Sequence, residues 1–546
     1  MTGGSFSLSD NTNTKEIAEY IIKRILTGER NIRAIKSEAA LKFGSDAIVR
    51  NSDIIRIAIR LVKKKAGQNN AKRIANIIQI LKRKPIRTLS GVTPVAVMIK
   101  PEGSCRWNCI YCPAAGKAAK SYTGEEPAAL RARANNFDPT MQVKDRLNQF
   151  RIGGHPTSKC EIIVMGGTFL QMDEEYKQSF IKGIYDALNC NSNKRKNAKT
   201  LAEAKKINET AKCRCVGLTI ETRPDVCGEK EINEMLDYGT TRVELGVQHP
   251  DDKIYKIINR GHTVEDVIRA TALLKDNGFK VLYHIMPGLP DSNPKKDIEM
   301  VRELFENPEF RPDMLKIYPA LVTGGTKLHE MMKHGEYTPY SSEEAADLIS
   351  EFYRYIPKYV RVMRIQRDIP AGLIQGGVKK SNLRELVENK IREKGIIPKE
   401  IRWREIGLNK EKLDGKFDIR TETYSASGGT ELFISYENTT SGIIAGFLRL
   451  RIPNGLIQRK EIGKNTAIVR ELHVYGNEET IGKKSAKASK TAQHTGIGRA
   501  LLKEAEKIAK KRFMKSEMII NSGMGVRRYY YKLGYKSKGN YVAKNL

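Results

Sequence analysis

The middle of the chain alternates short apolar, β-rich runs with longer segments of helical periodicity. The six runs are VAVMIK (95–100), EIIVMGG (161–167), VGLTIET (216–222), RVELGVQ (242–248), KVLYHIM (280–286) and MLKIYPA (314–320). Segments such as DEEYKQSFIKGIYDALN and TVEDVIRATALLKDNG lie between them with the spacing of amphipathic helices. This alternation predicts parallel βα units that form a partial (βα)6 barrel, with its chemistry at the carboxyl ends of the strands.

The two ends of the chain have different patterns. Residues 1–88 are basic and helical in character, whereas from about Arg402 the strand-like runs ELFISYE, IIAGFLRLRI and TAIVRELHVYG follow one another. A helix then begins near QHTGIGRALL, and a further strand and helix follow it. The sequence therefore predicts an α/β protein with three regions: a basic helical module over 1–88, a barrel with its linker over 89–395, and an α+β domain over 396–546.

The charge of the chain indicates a polyanionic partner. The formal net charge is +33, and the segment 54–87 carries many Lys and Arg residues but no Asp or Glu. Apolar residues recur in this segment at helical spacing, which predicts two amphipathic helices with basic polar faces. We favour binding to a nucleic-acid backbone, while a membrane surface and a merely solvated Lys-rich surface are the alternatives.

Further features concern the cellular compartment. No run of 18 or more apolar residues occurs, and the N-terminus lacks the apolar core of a secretory signal. The eight cysteines are too few and too irregularly spaced for a disulfide framework. We therefore expect no membrane span and a cytoplasmic protein.

Three of the cysteines form a motif. Cys105, Cys109 and Cys112 have a C-x3-C-x2-C spacing directly after the first predicted strand, in what should be a βα loop at the barrel mouth. Three thiolates can hold three irons of a [4Fe–4S] cluster, and the fourth iron then stays open to bind S-adenosylmethionine. A zinc site with a fourth ligand elsewhere and a chance group of structural thiols are the alternatives.

A second motif lies in the C-terminal region. From Gln493 the sequence has a Q-x-x-G-x-G pattern that enters an amphipathic helix, and such a loop can bring backbone amides close to a diphosphate. A glycine-rich loop alone is weak evidence, because it also serves as a tight turn. The strand that ends in RELHVYG and the later segment RRYYYKLGY supply its context.

The order of these elements resembles a known family. The C-terminal strand, glycine loop and tyrosine segment are similar to a GNAT acetyltransferase, and a radical S-adenosylmethionine barrel precedes them. Segments such as SYTGEEPAALRARANNFDP, EIIVMGGTF, GLTIETRPD, NRGHT, PDMLKIYPALV and RIQRDIP follow in the same order as in the catalytic subunit of Elongator, in its archaeal form. The resemblance covers nearly the whole chain, although the short cysteine spacing departs from the longer insert of eukaryotic members.

The resemblance implies roles for residues of the barrel. Polar residues at strand ends would contact S-adenosylmethionine, although such residues can equally close local hydrogen bonds. Lys316, with Tyr318 on the same face of the sixth strand, would face the active site. The S-adenosylmethionine contacts would be Gly166, Gly167, Thr168, Glu221, Arg223 and Gln248.

The resemblance also implies an acetyl-CoA site. His473 and one of Tyr529 and Tyr530 would lie at the thioester with catalytic roles, although a buried histidine and an ordinary aromatic core are the alternatives. Strand-edge residues would meet the pantetheine arm and acetyl group, the loop residues would hold the diphosphate, and Lys159 would be associated with acetyl-CoA. The full set is Lys159, Glu471, Leu472, His473, Val474, Gln493, Gly496, Ile497, Gly498, Arg499 and Tyr530.

The reaction implied by the family is the addition of a carboxymethyl group to C5 of the wobble uridine, position 34, of tRNA. In this scheme a 5′-deoxyadenosyl radical removes hydrogen from the acetyl methyl group, the carbon radical adds to C5, and the thioester is hydrolysed. The partner would be a tRNA anticodon stem-loop, with a homodimer or accessory subunits left open. Alternatives are a protein lysine acetyltransferase that uses the barrel as scaffold, and a tRNA-binding subunit with degraded active sites, against which the intact motifs argue.

Overall fold

The computed structural model describes residues 12–43, 49, 51–63, 76–78, 80–81, 91–103, 105–113, 116–190, 198–409, 416–455, 459–475 and 496–546. The chain divides into two compact units, Met1–Thr93 with Lys144–Ser158 and Pro94–Val143 with Lys159–Leu546. The second unit contains both the barrel and the C-terminal domain, and the boundaries 1–88, 89–395 and 396–546 stay a prediction. In the described part of the chain, no helix is both long and apolar enough to cross a membrane.

The described residues of the first unit include the helices α1 (Thr12–Leu26), α2 (Ile32–Phe43) and α3 (Asn51–Lys63). Ile54, Ile77 and Leu81, which the sequence places at helical spacing, are buried in its core. The Asn51 side chain donates a hydrogen bond of 2.8 Å to the carbonyl oxygen of Leu81. The Lys- and Arg-rich stretches 64–75 and 82–90 lie outside the described residues, so the predicted basic faces are not placed by the structure.

The barrel is a seven-stranded sheet in the order β1-β2-β3-β4-β5-β6-β8. Each pairing from β2 to β8 is parallel. The six predicted strands are confirmed, and a seventh strand was missed. The strands are β1 (Thr93–Met98), β2 (Lys159–Met165), β3 (Arg214–Thr222), β4 (Arg242–Gln248), β5 (Lys280–Ile285), β6 (Met314–Ile317) and β8 (Arg361–Ile365), and β7 (Val322–Thr323) pairs with β9 (Ile374–Gly376) in a separate two-stranded sheet.

Local sequence signals set the ends of the barrel helices. Thr263 and Asp266 form a capping box at the start of one helix, because each side chain accepts a hydrogen bond from the other's backbone N–H group. Another helix ends at Gly239, whose φ of 81° favours glycine. The helices are α4 (Pro127–Ala134), α5 (Pro139–Ile152), α6 (Glu174–Asn189), α7 (Leu201–Asn208), α8 (Glu229–Tyr238), α9 (Asp252–Ile257), α10 (Val264–Asp276), α11 (Pro294–Glu306), α12 (Lys327–Lys333), α13 (Ser342–Phe352), α14 (Leu383–Glu393) and α15 (Ile401–Arg404).

The C-terminal domain is a second seven-stranded sheet, in the order β10-β11-β12-β13-β14-β16-β15. Its pairings are antiparallel except that between β13 and β14. The parallel pairing ends at Val469 with Ile520, although β13 continues to Val474, so the two strands part there. The strands are β10 (Phe417–Ala426), β11 (Gly429–Asn438), β12 (Ile444–Ile452), β13 (Thr466–Val474), β14 (Glu517–Ile520), β15 (Lys536–Lys538) and β16 (Tyr541–Asn545), with helices α16 (Ile497–Phe513) and α17 (Arg527–Tyr531).

The C-terminal sheet packs against the amino ends of the barrel strands. Arg470 on β13 donates two hydrogen bonds to Asp313, which immediately precedes β6. Arg451 on β12 donates to Asp276, at the end of the helix that leads into β5. Because the contacts lie at this end, the carboxyl ends of the barrel strands stay available to form a mouth.

Candidate active site

The barrel mouth is an open cavity, and its empty volume is about 1160 Å³ when the adjoining open solvent is included. All three motif cysteines line it, together with six residues that the sequence assigns to cofactor binding or catalysis. These six are Gly167, Thr168, Glu221, Arg223, Gln248 and Lys316.

The cysteine loop is cationic on one side. The Arg260 guanidinium donates a hydrogen bond of 3.5 Å to Cys109 Sγ. Burial raises the pKa of the Cys109 thiol, but Arg260 outweighs burial and the net shift is downward, as a thiolate ligand requires. Burial and the neighbouring Cys109 charge raise the pKa of Cys112 to about 11. The positive charge of a bound metal would stabilise the Cys112 thiolate and offset the effects of burial and of the Cys109 charge.

The spacing of the three sulfurs discriminates between cluster and zinc. Within the described part of the chain, the only three-ligand group with atoms all within 4.8 Å of one another is Glu221, Glu244 and His284, so at least one pair of the three sulfurs is further apart than 4.8 Å. Sulfurs around a tetrahedral zinc, each about 2.3 Å from the metal, lie about 3.8 Å apart. The thiols therefore fit a larger group such as an iron–sulfur cluster better than a single ion.

The turn after β2 supplies a second set of ligand-binding groups. Gly166 has a φ of 120°, and a Cβ atom there would lie 2.8 Å from both Ala119 Cβ and Ile99 Cγ1. Only glycine therefore fits the close packing of this turn beneath the cysteine loop. The next side chain in the cavity wall, Thr168, is fully buried, and its Oγ1 atom has no hydrogen-bond partner. An unpaired buried hydroxyl costs about 1–3 kcal/mol, so this group is suited to a polar ligand.

The floor of the cavity is a buried network of charges. The Lys316 ammonium lies 3.4 Å from Glu221 Oε1 and also contacts Glu244. Tyr122 donates a hydrogen bond of 2.9 Å to the other Glu221 oxygen, and His284 Nε2 lies 2.8 Å from Glu244. Burial raises the pKa of Glu244, but Lys316 and His284 outweigh it and hold the carboxyl ionised. Lys316 thus occupies the position that a metal ion would take between these carboxylates, and both carboxylates are already neutralised.

Arg223 is largely committed to supporting the loop. Its guanidinium donates 2.8 Å to Asp225 and 2.7 Å to the carbonyl oxygen of Arg260, and it lies over the Trp107 ring at 5.2 Å. Its Nη1 atom is buried without a partner, so this nitrogen is the one left for a ligand.

Gln248, at the end of β4, has a φ of 68°, which is uncommon for a side-chain-bearing residue.

Sequence reasoning missed Arg260 as a site residue. It follows α9 in NRGHT, is 7% exposed, and presents an Nε atom that is buried without a partner into the cavity region. No strand end precedes it, so its position near Cys109 was not predictable from spacing. The sequence feature that could have drawn attention to Arg260 is the glycine that follows it. A Cβ atom on Gly261 would lie 2.4 Å from the Trp107 ring, so the loop packs closely against the cysteine loop.

The second candidate site lies where β13 and β14 part. Gly496 has a φ of 90° and Ile497 begins α16. A Cβ atom on Gly498 would lie 2.8 Å from the Tyr529 hydroxyl and 3.6 Å from Val474 Cγ2. The structure therefore brings together the strand edge, the helix start and Tyr529. Arg499 is exposed in the first turn of α16, and Gln493 lies outside the described residues.

Tyr530 occupies a different environment from Tyr529. Its side chain is only 6% exposed and belongs to the hydrophobic core under α16, with Leu472 packed against the same core. Tyr529 is 41% exposed. Of the two alternatives considered from sequence, the position beside the helix start belongs to Tyr529.

His473 and Glu471 point toward the barrel side of the sheet. Glu471 accepts a hydrogen bond of 2.9 Å from Arg449. Burial raises the pKa of Glu471, but the nearby positive charges of Lys280 and Arg449 lower it, and the net shift is downward. His473 lies 4.4 Å from the Tyr475 ring, and its Nε2 atom is buried without a partner. Burial lowers the pKa of His473, which keeps the imidazole neutral. Lys159 lies at the first position of β2, at the barrel end opposite the mouth.

Comparison with known proteins agrees with this architecture. The family model described as "Radical SAM superfamily" matches residues 99–304, and the model described as "Radical_SAM C-terminal domain" matches residues 312–393. The chain is thus a radical S-adenosylmethionine protein, a class whose cofactors are a [4Fe–4S] cluster and S-adenosylmethionine.

Relatives narrow this class to one family. The tRNA uridine(34) acetyltransferase of Methanocaldococcus jannaschii is 52% identical, covering 86% of this chain and 87% of that protein. Human Elongator complex protein 3 is 39% identical over 94% of this chain and 93% of its own length. The solved structure of Methanocaldococcus infernus Elp3 with an N-terminal deletion (1-46) is 48% identical, with a TM-score of 0.74, and covers 84% of this chain and 100% of that one. The chain belongs to the family of tRNA uridine(34) acetyltransferases and Elongator complex protein 3.

Proposed function

We propose that this protein adds a carboxymethyl group to C5 of the wobble uridine of tRNA and takes the two carbons from acetyl-CoA. The observation that carries the proposal is the presence, in one compact unit, of a three-thiol barrel mouth and an acetyltransferase-type strand edge. The family name of the relatives supplies the tRNA position. The net charge of +33 agrees with a polyanionic substrate.

The residues of the mouth bind and orient the cofactors. Cys105, Cys109 and Cys112 would hold the cluster, and the unpaired donors of Thr168 and Arg260 would hold polar and anionic groups of S-adenosylmethionine. When bound, these cofactors supply a carbon-centred radical able to remove hydrogen from a methyl group. Such chemistry suits this substrate, because the acetyl methyl group is barely acidic and C5 of uracil is a poor nucleophile.

The floor of the mouth consists of paired charges. Lys316 and Glu244 hold each other ionised in a buried site, and the two Glu221 oxygens are bonded to Lys316 and Tyr122. Lys316 presents the one ammonium group of this network, so it would meet a carbonyl oxygen of the bound base or acyl group. The wobble base must leave its stack to reach this depth.

The acetyl-CoA residues act at the other site. The unpaired edge of β13 after Val469 would pair with the amide-rich pantetheine arm, and the amino end of α16 would attract its diphosphate. The neutral His473 imidazole, with an unpartnered Nε2 atom, would accept a proton from the water that hydrolyses the thioester. The Tyr529 hydroxyl, beside Gly498, would contact the thioester end of the cofactor.

The test is mass spectrometry of tRNA nucleosides after anaerobic incubation with reductant, S-adenosylmethionine and [13C2]acetyl-CoA. The expected product is 5-carboxymethyluridine that carries both labelled carbons. Replacement of Cys105, Cys109 and Cys112 by Ala should abolish the product, whereas C190A should retain it, because Cys190 is exposed and outside the mouth.

The competing function predicts a different result. A protein lysine acetyltransferase would consume labelled acetyl-CoA with lysine peptides, would leave tRNA unmodified, and would not respond to loss of the three cysteines. That pattern would overturn the proposal.

A further inference from the structure

Lys120 contacts three oxygen atoms of the cysteine loop. Its ammonium lies 3.5 Å from the carbonyl oxygen of Cys105 and 2.5 Å from Asn108 Oδ1, and it also contacts the carbonyl oxygen of Trp107. Lys120 comes eight positions after Cys112 and lines the same cavity. An ammonium group carries three protons, so three converging acceptors match its donors.

The two halves of the cysteine loop are held by different means. Around Cys109 and Cys112 the backbone is tied down, since the Ile110 N–H donates 3.1 Å to Ile258 and the Cys112 N–H donates 3.0 Å to Cys109. The half from Cys105 to Asn108 forms neither helix nor strand.

Only a few bonds fix this first half among the described residues. The Trp107 indole N–H donates 3.1 Å to Asp225, and the Asn259 side chain donates 2.9 Å to the carbonyl oxygen of Asn108. Neither of these bonds reaches Cys105, whereas the Lys120 ammonium does. Among the described residues, Lys120 is therefore a group that ties the first cysteine to the rest of the loop.

We propose that Lys120 is a positioning residue that holds Cys105 in place for the cluster and that its positive charge favours the reduced cluster. The first part follows from the three contacts. The second follows because reduction adds a negative charge to the cluster, and cluster potentials depend on nearby charges and hydrogen bonds. The proposal rests on the assignment of the three cysteines as cluster ligands in the proposed function.

The test compares K120M and K120R with the matched control K117M, since Lys117 is exposed in the same loop. After anaerobic reconstitution of the full chain, iron and sulfide per chain and the midpoint potential of the cluster are measured, the potential by an EPR-monitored redox titration. We expect K120M to bind severalfold less iron, and its remaining cluster to have a lower potential. K120R should keep a potential near that of the wild type, and K117M should match the wild type in both measurements.

The outcomes separate this inference from the proposed function. Full iron content and an unchanged potential in K120M, while C105A loses its cluster, would overturn the role of Lys120 alone. A potential in K120R that falls as far as in K120M would overturn the charge effect. If C105A itself keeps the full cluster, the assignment of the ligands fails instead. Far-UV circular dichroism of each variant shows whether the chain is folded, so that low iron content is not confused with unfolding. If K120M does not fold, the iron content and potential of K120R test the proposal instead.

Discussion

Replacement of Arg470 by Met should destabilise the contact between the barrel and the C-terminal sheet. The Arg470 side chain is completely buried and donates hydrogen bonds of 2.6 and 2.7 Å to Asp313 and 2.7 Å to Glu431. It also donates 2.8 Å to the carbonyl oxygen of Phe279. Burial raises the pKa of Asp313, but Arg470 outweighs it and holds this carboxyl ionised. Methionine removes the charge and leaves both carboxylates inside the interface.

The expected loss is about 3 kcal/mol in the free energy of unfolding. Removal of one partner from a buried ion pair typically costs about 3–5 kcal/mol. The lower end applies here, because Asp313 keeps Arg449 at 3.7 Å and the Val281 N–H at 2.8 Å, and Glu431 keeps Arg451 at 3.3 Å. At about 1.4 kcal/mol for each factor of ten, the unfolding equilibrium constant should rise by roughly two orders of magnitude.

Urea unfolding of the full chain, followed by tryptophan fluorescence, measures this loss. The two tryptophans are Trp107 in the cysteine loop and Trp403 on α15, so both report on the second unit. R528M is the control, because Arg528 is exposed on α17 of the same domain. A change within about 0.5 kcal/mol for R470M would refute the reasoning, since it would show that the remaining partners of Asp313 and Glu431 compensate fully for the lost guanidinium.

Other predictions concern the two sites and the pH response. T168V should leave the free energy of unfolding unchanged or raise it, because it removes a buried hydroxyl that has no partner. The same change should weaken S-adenosylmethionine binding to the reconstituted protein about tenfold in calorimetric titration. Loss of stability with unchanged affinity would contradict this prediction. Y529F should lower acetyl-CoA hydrolysis in the presence of tRNA by at least about tenfold, whereas Y530F should not, and equal effects would remove the distinction between them. Burial lowers the pKa of His249 to about 4, so the unfolded state takes up the proton first and stability should fall as pH drops from about 6.5 to 4. H249F should flatten that slope in urea unfolding, and an identical slope would show that another group is responsible.

The strands show where sequence reasoning works and where it stops. The six predicted barrel strands are rich in apolar residues, because both faces of a parallel sheet are covered. The seventh, β8, has the sequence RVMRI and is not among the strands that the apolar runs predict. One of its two arginines is used at the interface, since Arg361 donates 2.6 Å to Glu405 and 2.8 Å to Tyr475. An edge strand whose polar residues pair with another domain has no apolar signature to detect.

The site residues divide in the same way. The cysteine spacing and the glycines after β2 are local features. The period-two alternation puts Lys316 and Tyr318 on one face, and both residues line the cavity in the structure. The partners of Lys316 come from two other strands, and Arg260 reaches Cys109 from a loop about 150 positions away. Spacing along the chain carries no information about such contacts, so only the fold reveals them.

A layer of buried ion pairs lies beneath the floor of the mouth. Glu244 lines the mouth cavity, and Arg242, two residues earlier on β4, pairs with Glu161 and Glu244. Burial lowers the pKa of Arg242, but Glu161, Glu244 and Glu471 on β13 raise it, and the net shift is upward. Two residues of a strand span about 7 Å, so one layer of ion pairs separates the floor of the mouth from β13. Buried ion pairs are seldom more stabilising than apolar side chains of equal volume. Stability alone therefore does not account for this layer of buried ion pairs.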